Sequence, residues 1–461
     1  MITSFILIYL LLTLAIGFWA SKKVKTSSDF MLAGKSLSTS FVGVTLFATW
    51  FGSSQIMGTP HNFIENGFSS FMTLIVAGSL CLILVGQFYA PKLYRMNIVT
   101  VNDFFRIKYN KKIELVTSLL MVFSYPQWVA AQFVALAYLL NGLLGIPADY
   151  GIFLGAGIVI LYTYVGGMWA VSYTDMIQSI MILLGLIILL VEILNQTGGI
   201  VPLFENKPSS FFSPFPQGGL EAWSEYIALF LALSIGSIPV QEIYQRVFSA
   251  KNEKAAKNGL FLGSFLLFII ASIPLIIGLA GAYLNPELME QGIKQDIIPV
   301  LVSMHTSLPL QILFYGAMIS AILSTSSGAM LSPATVIGEN LIKPYIPNLS
   351  DKRLLLITRM SVIGIALVAC YFALDDSDIV KLVEASVSLI LVCLFAPFTF
   401  GLFWKKSSIK GAWSSIILGG LSWLLGAVYD TAIDPTIYGT IISCLAMVFG
   451  SLLYPEEASA T

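Results

Sequence analysis

The chain has 461 residues, of which 57% are hydrophobic and 11% charged, with a mean hydropathy of +0.86 and a formal net charge of −1. A soluble globule carries about 25% charged residues, so this composition excludes that class. No basic block or tail is present, which leaves no basis for a nucleic-acid partner.

Apolar runs recur from end to end, each of about 20 residues and so long enough to span roughly 30 Å of hydrocarbon. The first, residues 4–20, is followed by charge and not by a small-residue cleavage site. It is expected to stay as a helix and not to be removed as a signal peptide. Thirteen spans are expected, near 3–21, 40–60, 69–95, 114–142, 150–167, 170–195, 222–246, 258–284, 309–340, 354–374, 379–402, 409–430 and 436–454. Between them, alternate connections hold 21 of the 24 Lys and Arg, in the stretches 22–35, 92–112, 246–257, 343–359 and 405–410. The other three are Lys207, Lys294 and Lys381, and the opposite face carries Asp149, Glu205, Glu287, Asp430 and Asp434. The positive-inside rule puts the basic face in the cytoplasm, hence the N-terminus outside and the C-terminus inside.

The longest outer loops, about 196–221 and 285–308, are too short for a soluble domain. The first is rich in Pro, Ser, Phe and Gly and is expected on the membrane surface, and the tail Pro455–Thr461 is expected to be a short disordered end. Cys81, Cys370, Cys393 and Cys444 all fall in apolar runs and read as small core residues.

Two spans carry residues that helices avoid. The second holds Gly52-Ser53-Ser54 and then Gly58-Thr59-Pro60, and the seventh holds Ser234-Ile235-Gly236-Ser237-Ile238-Pro239. Each frees backbone groups that lipid cannot satisfy, so the break must face protein, water, an ion or a solute. If the N-terminal helix is set aside, each break opens a unit of five helices. Matched breaks in two such units point to an inverted-repeat transporter with its site near the bilayer midplane.

In the ninth span, Ser324 and Thr325 are adjacent hydroxyls at membrane depth. They either bond back to carbonyls one turn earlier or serve a ligand. A sodium ion suits neutral hydroxyls and carbonyls by hard-ligand logic. Asp175 is an intramembrane acid near the start of its span. It is a functional candidate, proton coupling included, or else an acid held by the positive end of its own helix.

Five strings, in order, resemble the sodium:solute symporter family. They are Asp29-Phe30-Met31-Leu32-Ala33-Gly34-Lys35-Ser36-Leu37; Phe47-Ala48-Thr49-Trp50-Phe51-Gly52 with Gly58-Thr59-Pro60; Tyr162-Thr163-Tyr164-Val165-Gly166-Gly167 with Ala170 to Gln178; Gln245-Arg246; and the Ser324-Thr325 segment. The resemblance implies an all-α polytopic membrane protein of the leucine-transporter type, with inverted five-helix repeats and broken first and sixth core helices. Its parts would be an extra N-terminal helix and loop (1–39), a first repeat and outer loop (40–221), a second repeat (222–407) and two C-terminal helices with a tail (408–461). It implies a sodium site made by Ala48, Phe51, Ala321, Ser324 and Thr325, and a second cation at Asp175 as in some members, which carry a serine where this chain has Ala321. Positions 321, 324 and 325 do share one helix face.

Within the family the strings look closest to the high-affinity choline transporter branch, where tryptophans matching Trp50 and Trp128 help to box a quaternary ammonium. This chain departs from that branch at Val240 and Gly78. The substrate candidates are Thr49, Trp50, Ser53, Gln55, Trp128, Gln132 and Gln241. The glutamines suit the polar groups of an amino acid such as proline or another zwitterion.

The expectation is a sodium-coupled symporter importing a small organic solute by alternating access, acting as a monomer in a plasma membrane, and a bacterial inner membrane if the source is bacterial. The alternatives are proton coupling through Asp175 or a non-transporting sensor of the same fold. An enzyme is not expected: the sequence has no HExxH, no paired membrane aspartates and no phosphate-binding glycine loop.

Overall fold

The computed structural model describes residues 2–287, 297–376, 378–429 and 431–455. Lys294, Asp430 and residues 456–461 of the expected disordered tail lie outside them. Every regular element among the described residues is helical. We number the main ones α1 (Ile2–Ser21), α2 (Thr39–Trp50), α3 (Thr59–Asn66), α4 (Phe68–Arg95), α5 (Lys111–Leu144), α6 (Ala148–Thr197), α7 (Leu220–Ser249), α8 (Glu253–Leu284), α9 (Leu308–Tyr345), α10 (Asp351–Asp375), α11 (Ile379–Phe403), α12 (Ile409–Tyr429) and α13 (Pro435–Leu453).

Ten of these, α4 to α13, are long and apolar enough to cross a membrane. The pair of spans expected at 150–167 and 170–195 is the single element α6, 50 residues long. At 1.5 Å per residue it would measure roughly 75 Å if straight, far more than one hydrocarbon thickness. It turns at Gly167, where φ is 50° and ψ is −146°. Counting α2 and α3 as one broken element and the two arms of α6 separately, the run from α2 through α6 makes one five-helix unit and the run from α7 through α11 the other. Each unit opens on the broken element.

From Ile180 to Val191 the second arm of α6 is apolar all round. Ile180, Leu184, Ile187 and Val191 lie exposed, and Ile182, Leu186, Leu189 and Ile193 are buried. A helix that is greasy on both faces needs lipid on one of them. The buried face meets α9, which also packs on α5, while α8 packs on α2.

Two connections hold the ends of the bundle. After α1, Asp29 accepts from the Thr26 N–H at 3.0 Å and Thr26 caps Asp29 in return, a reciprocal box that starts a short helix at Ser27. Ala33, Gly34 and Lys35 then take positive φ in succession. The turn delivers Leu37, whose N–H donates to Ser249 O at 2.9 Å at the end of α7, while the Lys251 N–H donates to Leu37 O at 2.9 Å. At the other end, the Pro- and Phe-rich loop after α6 does more than lie on the membrane surface. Phe211 is buried, with its ring 5.3 Å from Phe63 and 6.1 Å from Phe204.

Gly167 offers a test of this architecture. A Cβ there would lie 2.5 Å from the Phe30 carbonyl and ring, and the backbone angles belong to glycine. Gly167→Ala is expected to destabilise the detergent-purified protein by at least about 1–3 kcal/mol, read as a lower Tm. Gly157→Ala, in the first arm of α6 with nothing within 4 Å of its Cβ position, is expected to be neutral or slightly stabilising. Equal Tm values for the two variants would show that the turn does not depend on Gly167.

Candidate ion and solute site

The site is organised by the place where α2 stops. Phe51 leaves helical geometry at φ −95° and ψ 82°, although its N–H still donates to Phe47 O at 2.8 Å. The next two N–H groups have no helical acceptor. Gly52 N–H donates to Gln55 Oε1 at 3.1 Å and Ser53 N–H to Gln132 Oε1 at 2.9 Å. Two side-chain amides thus replace the missing backbone bonds. The chain resumes in a wide turn over Ser54–Gly58 and runs straight into α3. No second break occurs at Gly58-Thr59-Pro60. Gly58 is right-handed helical, and Pro60 sits in the first turn of α3, where its missing N–H costs little. Gly58 is small because a Cβ would lie 2.5 Å from Val380 of α11.

In α7 a wide turn over Ala232–Gly236 leads to the non-helical stretch 237–240, and the helix restarts at Gln241. The break expected there is present.

Facing the α2 break, α9 supplies five hydroxyls that behave in two ways. Ser320, Ser326 and Ser327 bond to carbonyls of their own helix, Gly316 O at 2.6 Å, Ile322 O at 2.6 Å and Ser324 O at 2.9 Å. Ser324 and Thr325 do not. Ser324 Oγ donates to Asp175 Oδ1 at 2.5 Å, and Thr325 Oγ1 donates to Ala48 O at 3.3 Å. Both are buried, as are Ala48, Phe51 and Ala321. The two hydroxyls therefore leave their helix for α6 and α2. Asp175 Oδ2 is buried with no hydrogen-bond partner. The oxygens brought together here are two neutral hydroxyls and the Ala48 carbonyl beside one carboxylate, donors of a kind that suits a hard monovalent cation.

A second polar group lies one helix away. Arg246 of α7 is fully buried, with Nη2 donating to Thr49 Oγ1 at 2.8 Å and Nη1 to Glu242 O at 3.2 Å. The Glu242 carboxylate accepts from the Tyr125 hydroxyl of α5.

Above these groups is a chain of cavities. The innermost, about 60 Å³, is lined by Trp50, Gln55, Tyr125, Trp128, Gln132, Val240 and Glu242 among others. It shares Trp50, Ser54, Gln55, Leu233 and Val383 with a cavity of about 40 Å³. That one shares Leu74, Leu229 and Glu384 with a vestibule of about 670 Å³ under the Phe-rich loop.

Of the seven residues expected to meet solute, Trp50, Gln55, Trp128 and Gln132 line the inner cavity. Thr49 is engaged by Arg246 and lies off the cavity wall. Ser53 is buried behind the break with its hydroxyl unpartnered. Gln241 is turned the other way, with Oε1 accepting from the Val101 N–H at 2.8 Å. Sequence reasoning passed over Glu242 and Tyr125. The signal was available, because an acid beside a break inside an apolar span is a functional candidate in its own right.

Residues 30–419 match the model of the sodium:solute symporter family. The high affinity choline transporter 1 of Homo sapiens is 25% identical over 454 residues, spanning 94% of this chain and 78% of that protein. The osmoregulated proline transporter of Bacillus subtilis (strain 168) is 25% identical over 469 residues, spanning 98% and 95%. The solved structure of a Na⁺-coupled sialic acid symporter superposes with a TM-score of 0.85 at 21% identity, over 99% of this chain and 98% of that one. At that identity the likeness is one of fold.

The Arg246 contact is open to test. Thr49→Val keeps the shape of the side chain and removes the acceptor, leaving a buried guanidinium N–H unpaired. The expected cost is about 1–3 kcal/mol, measured as a lower Tm of the purified protein. An unchanged Tm would mean that the guanidinium does not rely on Thr49.

Proposed function

Because the chain belongs to the sodium:solute symporter family, in which solute movement is coupled to sodium, we propose that it imports a small organic solute, an amino acid such as proline or a choline-like compound, by alternating access. The proposed ion site consists of Ala48, Phe51 and Ala321 through their carbonyls and Ser324 and Thr325 through their hydroxyls. One observation carries this reading: of the hydroxyls on that stretch of α9, these two alone turn away from their own helix, toward Asp175 and toward the carbonyl of Ala48. The proposed solute site is the inner cavity at the α2 and α7 breaks, reached from the vestibule. Choline and proline enter as substrate classes because relatives are named for them. Val240 and Gly78, where the choline branch carries aromatics, leave the aromatic walls at Trp50, Trp128 and Tyr125.

The proposed orientation follows the basic loops, with the N-terminus outside and the vestibule on the outer side. The proposed setting is a plasma membrane, with the protein acting as a monomer. High external sodium then loads the ion site, which ties α2 to α9, and preorganises the unwound segment 51–53 beside the cavity. Sodium and solute binding are reciprocally linked, so each raises the affinity of the other by the same factor.

Ser324→Ala and Thr325→Ala are each expected to weaken sodium binding about ten- to hundred-fold, the scale of losing one hydrogen-bond-strength contact to a charge, about 1.5–3 kcal/mol. Sodium-dependent thermal stabilisation of purified protein, with potassium as the control salt, measures this. Ser326→Ala removes a hydroxyl bonded to its own helix and is expected to leave sodium affinity unchanged. Wild-type sodium dependence in both Ser324→Ala and Thr325→Ala would remove the site. Solute binding indifferent to sodium in folded wild-type protein would remove the coupling.

A further inference from the structure

Glu242 is a buried acid that the proposed ion site does not use. It is the second residue of the helix that restarts after the α7 break, it is 3% exposed, and it lines the inner cavity. Its position is held from both ends. The Tyr125 hydroxyl donates to its carboxylate, and its own N–H donates to that hydroxyl oxygen at 3.2 Å.

Among the described residues, no Lys, Arg or His nitrogen lies within 4.0 Å of this carboxylate. Arg246, one turn on, gives its Nη1 to the Glu242 carbonyl and its Nη2 to Thr49. The Arg246 charge favours the carboxylate from beyond ion-pair distance, and a cation arriving against it with the ligand would add to that.

The cavity wall indicates which kind of cation. A bare metal ion needs several hard oxygens. Here Gln55, Gln132, Ser237 and Ser386 share the wall with the rings of Trp50, Trp128 and Tyr125, and it is the rings that favour an organic cation. The Trp50 indole N–H, on the same wall, is turned toward this carboxylate, so ring and acid belong to one site.

Resting on the reading of this cavity as the solute site, we propose that Glu242 accepts a hydrogen bond from a protonated amine of the transported solute and so selects N–H ammonium compounds over their fully methylated counterparts. The carboxylate supplies both charge and a directional acceptor, whereas an aromatic box without it supplies only charge attraction and treats the two kinds alike. The residual solute volume lies toward the 40 Å³ cavity, past Trp50 and Gln55.

The test uses purified full-length protein in sodium and matched probe pairs: ethanolamine with choline, and L-proline with its N,N-dimethyl betaine, plus D-glucose as a neutral probe. Thermal stabilisation by at least one N–H member is expected at concentrations at least about ten-fold below its methylated partner, with no response to glucose. Glu242→Gln is expected to weaken the N–H response about ten- to hundred-fold while keeping the sodium response measured without solute. Glu242→Asp, which keeps the charge, is expected to retain part of the solute response and serves if the Gln variant does not fold. Equal responses within each pair, a best response to glucose, no response to any amine probe, or an unchanged N–H response in Glu242→Gln would each overturn the proposal. Loss of the sodium response in the wild type would instead strike the symport reading and leave the pairwise comparison intact.

Discussion

The centre of this molecule depends on a helix that ends inside a membrane. Once α2 stops at Trp50, the N–H groups of Gly52 and Ser53 need acceptors, and hydrocarbon offers none. Gln55 and Gln132 fill that role through their amide oxygens. Gly52 is what lets them approach: a Cβ there would lie 2.6 Å from Thr325 Oγ1 and 2.7 Å from Gln132 Oε1. So α2, α5 and α9 converge on one residue without a side chain. The glutamines have a structural duty on one side and a cavity wall on the other, and a solute that engaged their amides would do so without taking the oxygens that support the break.

Three further pairs of buried polar groups each tie two helices together. Ser324 and Asp175 join α9 to α6, Tyr125 and Glu242 join α5 to α7, and Arg246 and Thr49 join α7 to α2. Bonds of this kind are worth more where water is excluded, and the cost of leaving them unmade rises equally. A cation or an ammonium reaching them would act directly on how the broken elements sit against the rest. That is the property a coupled transporter needs, because ligands shift a conformational equilibrium only through differential contacts in its two states.

The two ends of the bundle are unlike. On the basic face, Gln245 at the end of α7 bonds to Met31 O, Ser332 and Thr335, at 2.9, 2.7 and 3.1 Å. Asn340 near the end of α9 bonds to Thr100, Asp103 and Glu114, at 2.7, 3.1 and 2.8 Å. At the opposite end the vestibule of about 670 Å³ leads inward to Trp50 and Glu242 by way of shared walls. The molecule is thus cross-linked at one face and hollow at the other, an asymmetry that fits one end of an alternating-access cycle.

Much of this was legible in the residues themselves. Hydrophobic run length determined the class, because a bilayer admits only segments whose backbone is satisfied internally. Gly-Ser-Ser and Ser-Ile-Pro strings inside apolar runs located both breaks, because helices reject those residues for local reasons that need no tertiary context. Other features were decided by the tertiary structure. Pro60 looked like a breaker and proved to be an ordinary helix start, since a proline's effect depends on which turn it occupies. Gln241 matched its neighbours in composition and faces Val101, because the restart angle after residues 237–240 sets where each side chain points. Ser324 and Ser326 are both serines on one helix, and only the packing of α6 and α2 against α9 makes the first reach outward while the second bonds to its own turn. The sequence by itself determined that the chain is a bundle of apolar helices and where two of them break, through local backbone chemistry. Which side chains meet at those breaks was decided by helix packing, because that depends on the relative rotation of elements whose meeting residues lie from 79 to 277 positions apart in the chain.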